Sequence, residues 1–206
     1  MRAVLQRVKG ATVHVDGKVV SRIGPGIVAL IGISTDDTLN EIVPLANKVL
    51  NTKLWNERQE AKDIKVPSQY QDQEDDKVTS NGDASGQPSP ATPDANEATS
   101  ATRAEEVWGG KPWKRSVMEL GGEVLCVSQF TLHARTTKGT KPDFHRAMGG
   151  DTAKEIYDSF LKRLGDSYRH DRIKDGQFGA MMDVSLTNDG ESTIQWGCCL
   201  AEPGKG

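Results

Sequence analysis

The chain has 206 residues, of which 35% are hydrophobic, 27% charged and 5% aromatic, and its formal net charge is −3. This length suits one domain, and the charge excludes a protein whose whole surface is basic, as in nucleic-acid-coating or polybasic membrane-binding proteins. No segment reaches the roughly 18 apolar residues of a membrane-spanning helix, and no apolar segment follows the N-terminus as in a secretory signal. The three cysteines, Cys126, Cys198 and Cys199, do not have the spacing of a disulfide framework or a zinc site, which favours a cytoplasmic location.

An acidic segment over residues 68–106 contains no Leu, Ile, Phe, Met or Trp. It holds nine acidic and two basic residues, a balance of −7, which leaves 24 basic and 20 acidic residues, a balance of +4, elsewhere. Such a composition cannot bury enough apolar surface to offset the entropy lost on ordering. We therefore predict a low-complexity, disordered insert over 58–110 within a single domain formed by 1–57 and 111–200. The insert is either a tolerated surface loop or a regulatory segment that mimics a polyanion.

The N-terminal part of the chain is predicted to form strands followed by a helix. The predicted strands are 3–8, 11–15, 18–23 and 27–33, and Asp16-Gly17 is a hairpin turn between the second and third. Apolar residues over 39–50 recur with helical spacing after Asp36-Asp37. Pro44 either kinks this helix or lies near its start.

The C-terminal part is predicted to alternate between strands and a helix. A long central strand is expected over 123–133, and a helix over 151–164 capped by Asp151 or Thr152. Two further strands, 182–187 and 193–198, are joined by 188–192. This order predicts an α/β fold in which a mixed β-sheet carries helices packed on one side.

Signatures of metal and cofactor sites are absent from the sequence. The four histidines, His14, His133, His145 and His170, lack ligand spacing with cysteines or carboxylates. No phosphate-binding glycine motif and no nucleophile elbow occurs. We therefore predict neither a metal nor another cofactor.

Ser128, Gln129 and Thr131 place three polar side chains inside an otherwise apolar strand. Each would cost about 1–3 kcal/mol if it were buried without a partner. One interpretation is a strand whose polar face meets a loop, and the other is a strand end that lines a pocket. Neither hydroxyl has a neighbouring base in the sequence that would activate it as a nucleophile.

A basic run over 133–146 follows this strand directly. Its fixed positive charges are Arg135, Lys138, Lys141 and Arg146. The run is either a solvated loop or a surface that contacts tRNA phosphates, where Phe144 offers a face for base stacking.

Taken together, these segments resemble the D-aminoacyl-tRNA deacylase family. The resemblance is carried by Ser-Gln-Phe-Thr-Leu at 128–132 and by Asn-Asp-Gly-Glu-Ser-Thr at 188–193. The runs 5–8, 138–144 and 178–182 are also similar to the family, whereas the insert over 58–110 lies outside its pattern.

The resemblance implies a deacylase-type fold and a homodimer with active sites at the subunit interface. The implied reaction is hydrolysis of the ester between a D-amino acid, or mischarged glycine, and the 3′-terminal adenosine of tRNA, a proofreading step of translation. Ser128 lines the pocket, backbone groups around Gln129, Phe130 and Thr131 hold the ester carbonyl, and the terminal 2′-hydroxyl of the RNA activates water. In this reading Thr131 positions the substrate.

The resemblance also assigns residues outside the first motif. Arg7 braces the second motif, Met182 lines the pocket, and Asn188, Gly190, Glu191 and Thr193 form the element that excludes L-amino acids. In the family this element contains a cis Gly-Pro bond, but Glu191 stands at the proline position here. A cis bond before a non-proline residue costs about 2.5–4 kcal/mol, against about 0.5–1 kcal/mol before proline.

This departure leaves several outcomes open: a strained cis bond, a relaxed trans bond with looser chirality, or a weak or inactive enzyme. The alternative function is a non-catalytic homodimer that binds tRNA or associates with DNA and keeps the fold. A general esterase is a third hypothesis, which the absence of an activated nucleophile disfavours.

Overall fold

A computed structural model describes residues 1–71, 109–137 and 139–197. The strands are β1 Arg2–Val15, β2 Lys18–Ile23, β3 Gly26–Gly32, β4 Glu123–Ser128, β5 Ile173–Asp175 and β6 Asp183–Gly197. The α-helices are α1 Ile42–Asn51, α2 Val117–Leu120 and α3 Gly150–Ser167. Short 3-10 helices are Leu39–Glu41, Ala61–Asp63, Ser68–Tyr70, Phe130–His133 and His170–Arg172. Within the described ranges, no helix combines the length and apolarity that crossing a membrane requires.

All the strands belong to one mixed sheet. The order is β2-β1-β3-β4-β5, and β6 also pairs with β1. β1 is antiparallel to its three neighbours, whereas β3–β4 and β4–β5 are parallel. β1 can serve three partners because its N-terminal half lies between β3 and β6 and its C-terminal half lies between β2 and β6. The predicted mixed sheet is confirmed.

The larger apolar core lies between one face of this sheet and the helices. Alternate strand residues such as Leu5, Ala29 and Cys126 face it, and Leu50 of α1 and Phe160 of α3 close it from the other side. These side chains alternate along the strands because successive residues point to opposite faces. The prediction of helices on one side of the sheet is therefore confirmed.

The opposite face is covered by the sheet itself. β2 packs over β4 and β5 without pairing with them. The space between them holds a second apolar cluster that includes Val13, Ile23, Val28 and Leu125. The sheet is therefore curled over this second cluster.

The predicted strand over 123–133 is too long. β4 ends at Ser128, and Phe130–His133 form a 3-10 helix. The amide of Gln129 donates to the Ile31 carbonyl at 2.7 Å, and the ψ of 85° at Gln129 then turns the chain out of the sheet. The polar residues of this segment thus mark the end of a strand.

The structure settles the position of Pro44 in α1 and corrects the predicted start of α3. Pro44 lies in the first turn of α1, where the missing N–H has no intrahelical partner to lose, so it causes no kink. α3 begins after Gly149, which has no side chain that could cap the helix, and not after a cap at Asp151 or Thr152.

The two strands predicted over 182–187 and 193–198 are parts of β6. Thr193 pairs with Gln6 and Asn188 pairs with Val8, so four residues of β6 lie opposite Arg7 alone. The segment predicted to join two strands is therefore a bulge within one strand, which a single sequence cannot distinguish from a loop.

The predicted insert over 58–110 lies mostly outside the described residues, but its N-terminal part does not. Residues 58–71 contain two 3-10 helices, and Tyr70 is only 5% exposed. The Tyr70 ring packs on Gly10, where a Cβ would lie 2.6 Å from it, and its hydroxyl accepts a hydrogen bond from Thr187 at 3.3 Å. An aromatic side chain thus anchors residues 58–71, the first part of the predicted insert, to β1 and β6.

Candidate active site

A cavity of about 240 Å³ lies where β3 and β4 end and α3 begins. Its lining consists of Ile31, Ile33, Ser128, Gln129, Phe130, Met148, Gly149, Gly150, Ala153, Phe178 and Gly179. Most of these groups are apolar or backbone. The cavity is smaller than the roughly 300–1,000 Å³ of drug-sized ligand sites, so it suits an amino-acid-sized group.

The first motif forms one wall of this cavity. Ser128 pairs with Ile31 across β3 and β4, and Gln129 and Phe130 follow it along the wall. Phe130 is 57% exposed and Thr131 is also exposed, with its hydroxyl accepting a hydrogen bond from the Gln129 side chain. The structure thus brings Ser128, Gln129 and Phe130 together and places Thr131 beside them, outside the lining.

This wall presents two main-chain amides that have no hydrogen-bond partner among the described residues. Within the described part of the chain, no hydrogen bond from the amides of Phe130 or Thr131 is present, because both stand at the start of the 3-10 helix. Unpaired amides are donors for an oxygen that develops negative charge. No histidine or carboxylate is among the residues that line the cavity.

The opposite wall is the start of α3, which the sequence analysis missed. Gly149 and Gly150 line the cavity, and Gly150 has a φ of 71°. The first amides of a helix carry partial positive charge and lack intrahelical partners. The pair of glycines directly before a predicted helix was the signal available in the sequence.

The second motif is organised by Arg7. Its Nε donates to the Asp189 carbonyl at 2.7 Å and lies 3.1 Å from the Asp189 carboxylate, and its Nη1 donates to the Leu54 carbonyl. Burial lowers the pKa of Arg7 from its ordinary value, and the nearby Asp189 opposes that shift. Any Cβ at Gly190 would lie 3.3 Å from Nη2 of Arg7. The arginine therefore fixes the first residues of the bulge.

Within one chain this bulge is remote from the cavity. Arg7 pairs with Ile27, whereas Ser128 pairs with Ile31, four residues further along β3. At about 3.3 Å per residue, the separation along the strand is about 13 Å. Asn188, Gly190 and Thr193 thus do not line the cavity of their own chain.

Met182 is also outside the cavity lining. Its side chain packs against the second apolar cluster, and its sulfur fills the space beside Gly176, where a Cβ would lie 2.5 Å away. The curled sheet places this residue on the face opposite the helices.

The basic loop after the first motif is a small exposed hairpin. Arg135 and Asp143 exchange backbone hydrogen bonds of 2.9 and 2.8 Å, and Lys141, Phe144 and His145 line an open depression of about 630 Å³. The Phe144 ring meets Phe130 edge to face, with centroids 5.2 Å apart. The loop is thereby continuous with the cavity wall.

Charges in this loop are exposed. Hydrogen bonds from the backbone and side chain of His145 lower the pKa of Asp143, and the side-chain hydrogen bond with Asp143 raises the pKa of His145. Arg146 is exposed as well, and Lys138 lies outside the described residues. In the part of the chain that the structure covers, no group of three or more His, Cys, Asp or Glu residues is arranged to hold a metal.

Comparisons with known proteins agree on one family. A family model described as D-Tyr-tRNA(Tyr) deacylase matches residues 4–73 and 94–197. The D-aminoacyl-tRNA deacylase of Yarrowia lipolytica is 42% identical over 197 residues, which cover 95% of this chain and 96% of that protein.

Solved structures give the same fold. One titled "c-Myc DNA Unwinding Element Binding Protein" is 36% identical, with a TM-score of 0.69 over 96% of this chain and 98% of that one. A second, from a study of a probable eukaryotic D-amino acid tRNA deacylase, is 16% identical with a TM-score of 0.61 over 95% and 97% of the two chains, and shows the fold alone. With a family model matching most of its length and a relative above 40% identity, the chain belongs to the D-Tyr-tRNA(Tyr) deacylase family.

Proposed function

We propose that this protein hydrolyses the ester bond of D-aminoacyl-tRNA, and of mischarged glycyl-tRNA, as a proofreading hydrolase of translation in the cytoplasm. The observation that carries the proposal is the small cavity walled by Ser128, Gln129 and Phe130, in a chain that belongs to the deacylase family. The relatives' shared name, D-aminoacyl-tRNA deacylase, gives no support to the non-catalytic alternative.

In the proposed reaction, water attacks the ester carbonyl and the bond to the 3′ oxygen breaks. The amides of Phe130 and Thr131 donate to the carbonyl oxygen as it becomes negative. The proton lost by the water ends on the 3′ oxygen of the ribose, and the products are the free amino acid and tRNA. The 2′-hydroxyl of the terminal adenosine activates the water, since no histidine or carboxylate of the same chain is among the described residues that line the cavity.

Thr131 acts as a positioning residue in this scheme. Its hydroxyl accepts a hydrogen bond from Gln129, which orients the side chain without raising its nucleophilicity. We therefore expect Thr131→Ala to retain activity within about tenfold, whereas removal of a true nucleophile costs orders of magnitude more.

The chirality filter requires a second copy of the chain. Because the bulge at 189–192 is remote from the cavity of its own chain, we propose a homodimer in which each bulge enters the partner's cavity. Gly190, Glu191, Asn188 and Thr193 would then exclude L-amino acids from the other subunit's site. A two-fold arrangement of this kind uses the same surface on both copies.

The basic loop is proposed to hold the acceptor end of tRNA. Arg135, Lys141 and Arg146 are exposed cations beside the cavity wall, and Lys138 adds a fourth charge in the sequence. Contacts of this kind make binding depend on salt, with each removed cation lowering the slope against log salt by about one. Lys141→Ala and Arg146→Ala should each weaken tRNA binding and flatten this dependence.

The central test compares D-tyrosyl-tRNA, L-tyrosyl-tRNA and a D-tyrosyl-tRNA whose terminal ribose lacks the 2′-hydroxyl. The expected result is rapid hydrolysis of the first substrate and slow hydrolysis of the other two. Equal background hydrolysis of the D and L substrates would refute the proposed function. Rapid hydrolysis of the 2′-deoxy substrate would instead refute the role given to the RNA.

Subunit mixing tests the shared site. Phe130→Ala damages the cavity wall, and Arg7→Met damages the bulge. When two such variants are mixed in equal amounts and exchange subunits, half of the dimers are mixed, and each mixed dimer contains one intact site. Because a damaged bulge admits L-amino acids while the cavity stays active, we expect exchange to halve the hydrolysis of L-tyrosyl-tRNA relative to the unmixed variants and to leave the hydrolysis of D-tyrosyl-tRNA unchanged. A monomer in sedimentation, or no fall in L-tyrosyl-tRNA hydrolysis despite exchange, would contradict the dimeric site.

A further inference from the structure

The turn that carries the amides of Phe130 and Thr131 is attached to the sheet from its inner side. Arg2 Nη1 donates to the Leu132 carbonyl at 2.7 Å. His133, the last residue of the 3-10 helix, is only 6% exposed, although Phe130 on the outer side is 57% exposed. The conformation of the turn therefore depends on the contacts of Arg2 and His133.

His133 packs directly on Gly32 of β3. A Cβ at Gly32 would lie 3.1 Å from Cδ2 of His133 and 2.9 Å from Cβ of Leu132, so the close approach needs glycine. Nε2 of His133 is buried and has no hydrogen-bond partner in the part of the chain that the structure describes. The Gly32 backbone lies against the same ring and favours its protonated form.

This arrangement suits a neutral imidazole. A neutral ring has one N–H and one lone pair, so it can leave the buried, unpartnered Nε2 without a proton. Burial lowers the pKa of His133 from its ordinary value, and Arg2 and the Met1 amino group act in the same direction. The Gly32 backbone and the charge of Asp37 oppose this shift. A second proton would place an unsatisfied N–H in a buried site near Arg2.

We propose that His133 is a positioning residue for deacylation, whose neutral ring against Gly32 holds the Phe130 and Thr131 amides at the cavity and whose protonation releases this turn. The inference rests on the proposed function of the cavity. It concerns a residue that touches neither substrate nor cavity, since His133 is absent from the cavity lining.

The sign of the pH effect follows from linkage. A histidine whose pKa is lowered in the ordered turn binds a proton more readily when the turn is released. When the pH is above the ordinary pKa of histidine, the ring is neutral in both the ordered and the released turn, and the ordered turn keeps its full stability. As pH falls below that value, protonation increasingly favours the released turn, so kcat should fall in acid while KM changes little.

The test measures kcat and KM for D-tyrosyl-tRNA over a range of acidic to neutral pH. His133→Asn keeps a polar side chain that cannot titrate, whereas His133→Leu replaces the ring with an apolar side chain. His170→Asn is a matched control, because the His170 side chain is 71% exposed and lies outside both the cavity and the basic loop. The amino group of the substrate titrates equally with all four proteins, so the comparison between them isolates the histidine.

We expect His133→Asn to match the wild type near neutral pH and to lose less activity in acid. His133→Leu should lower kcat about tenfold or more with KM within about twofold, since small misplacements of catalytic groups have effects of this size. His170→Asn should keep the wild-type profile.

An active wild type whose acid profile is shared by His133→Asn would overturn this inference alone. A wild type that hydrolyses none of the substrates would overturn the proposed function and this inference with it. Should His133→Leu fail to fold, the comparison of wild type with His133→Asn still decides the result.

Discussion

Replacing Arg7 with methionine should both destabilise the protein and weaken its chiral discrimination. Arg7 joins β1 to the bulge of β6 through the Asp189 carbonyl and carboxylate and joins it to the chain before the insert through Leu54. Only 15% of its side chain is exposed, so water replaces these contacts poorly. Methionine keeps the length of the side chain and removes every donor.

The expected loss is about 2–4 kcal/mol in the free energy of unfolding. Hydrogen bonds that involve a charged group contribute about 1.5–3 kcal/mol each, and Arg7 donates to two carbonyls. Burying the guanidinium costs hydration free energy, and methionine avoids this cost, which lowers the total loss. The carboxylate contact contributes less, so Asp189→Asn should show a coupling with Arg7→Met of only about 0.5–1 kcal/mol in a double-mutant cycle.

Lys9 provides the matched control for this measurement. Its Nζ lies 3.9 Å from the same Asp189 carboxylate, but its side chain is 41% exposed. Lys9→Met should change stability by less than about 0.5 kcal/mol.

The assays are urea unfolding at one fixed protein concentration, because the stability of the proposed dimer would depend on concentration, and the ratio of kcat/KM for D- over L-tyrosyl-tRNA. Arg7→Met should lower both quantities, whereas Lys9→Met should lower neither. If the two variants behaved alike, the bulge would not be fixed by Arg7 and the reasoning would fail.

Further predictions concern the turn, the bulge and the insert. Gly32→Ala should lower kcat with the fold retained by circular dichroism, because its Cβ would lie 2.9 Å from Leu132; unchanged kcat would show that the turn tolerates displacement. Glu191→Pro should raise the D-to-L activity ratio, and an unchanged ratio would mean that this position does not control chirality. Deleting 74–93, which the family model leaves unmatched, should leave the urea midpoint unchanged. Tyr70→Ala should cost about 3–5 kcal/mol, and a small effect would show that the residue does not anchor the chain to β1.

The sequence predicted the elements whose apolar pattern is local. The run 27–33 is buried on both faces, and the helical spacing after residue 39 corresponds to α1. These patterns depend only on how side chains alternate along a strand or a helix. The mixed sheet with helices on one side followed from their order in the chain.

Features that depend on contacts between distant segments were predicted less well. Tyr70 appears in an acidic, polar stretch, and its burial depends on Gly10, sixty positions earlier in the sequence. The end of β4 at Ser128 depends on its pairing with β3, and the bulge of β6 is defined by its pairing with β1 around Arg7. Local composition carries no information on any of these pairings.

The sequence analysis predicted one wall of the cavity and missed the other, and the reason is chemical. A site that acts through side chains marks itself with acids, bases and nucleophiles, whereas main-chain amides leave no residue type of their own. What such a site constrains is the space around the backbone, through residues such as Gly32 beneath the turn and Gly150 at the start of α3. It also constrains the groups that hold the backbone in place, such as Arg2 under Leu132. Substitutions that alter backbone position should therefore impair this enzyme more than substitutions that remove a polar side chain from the cavity wall.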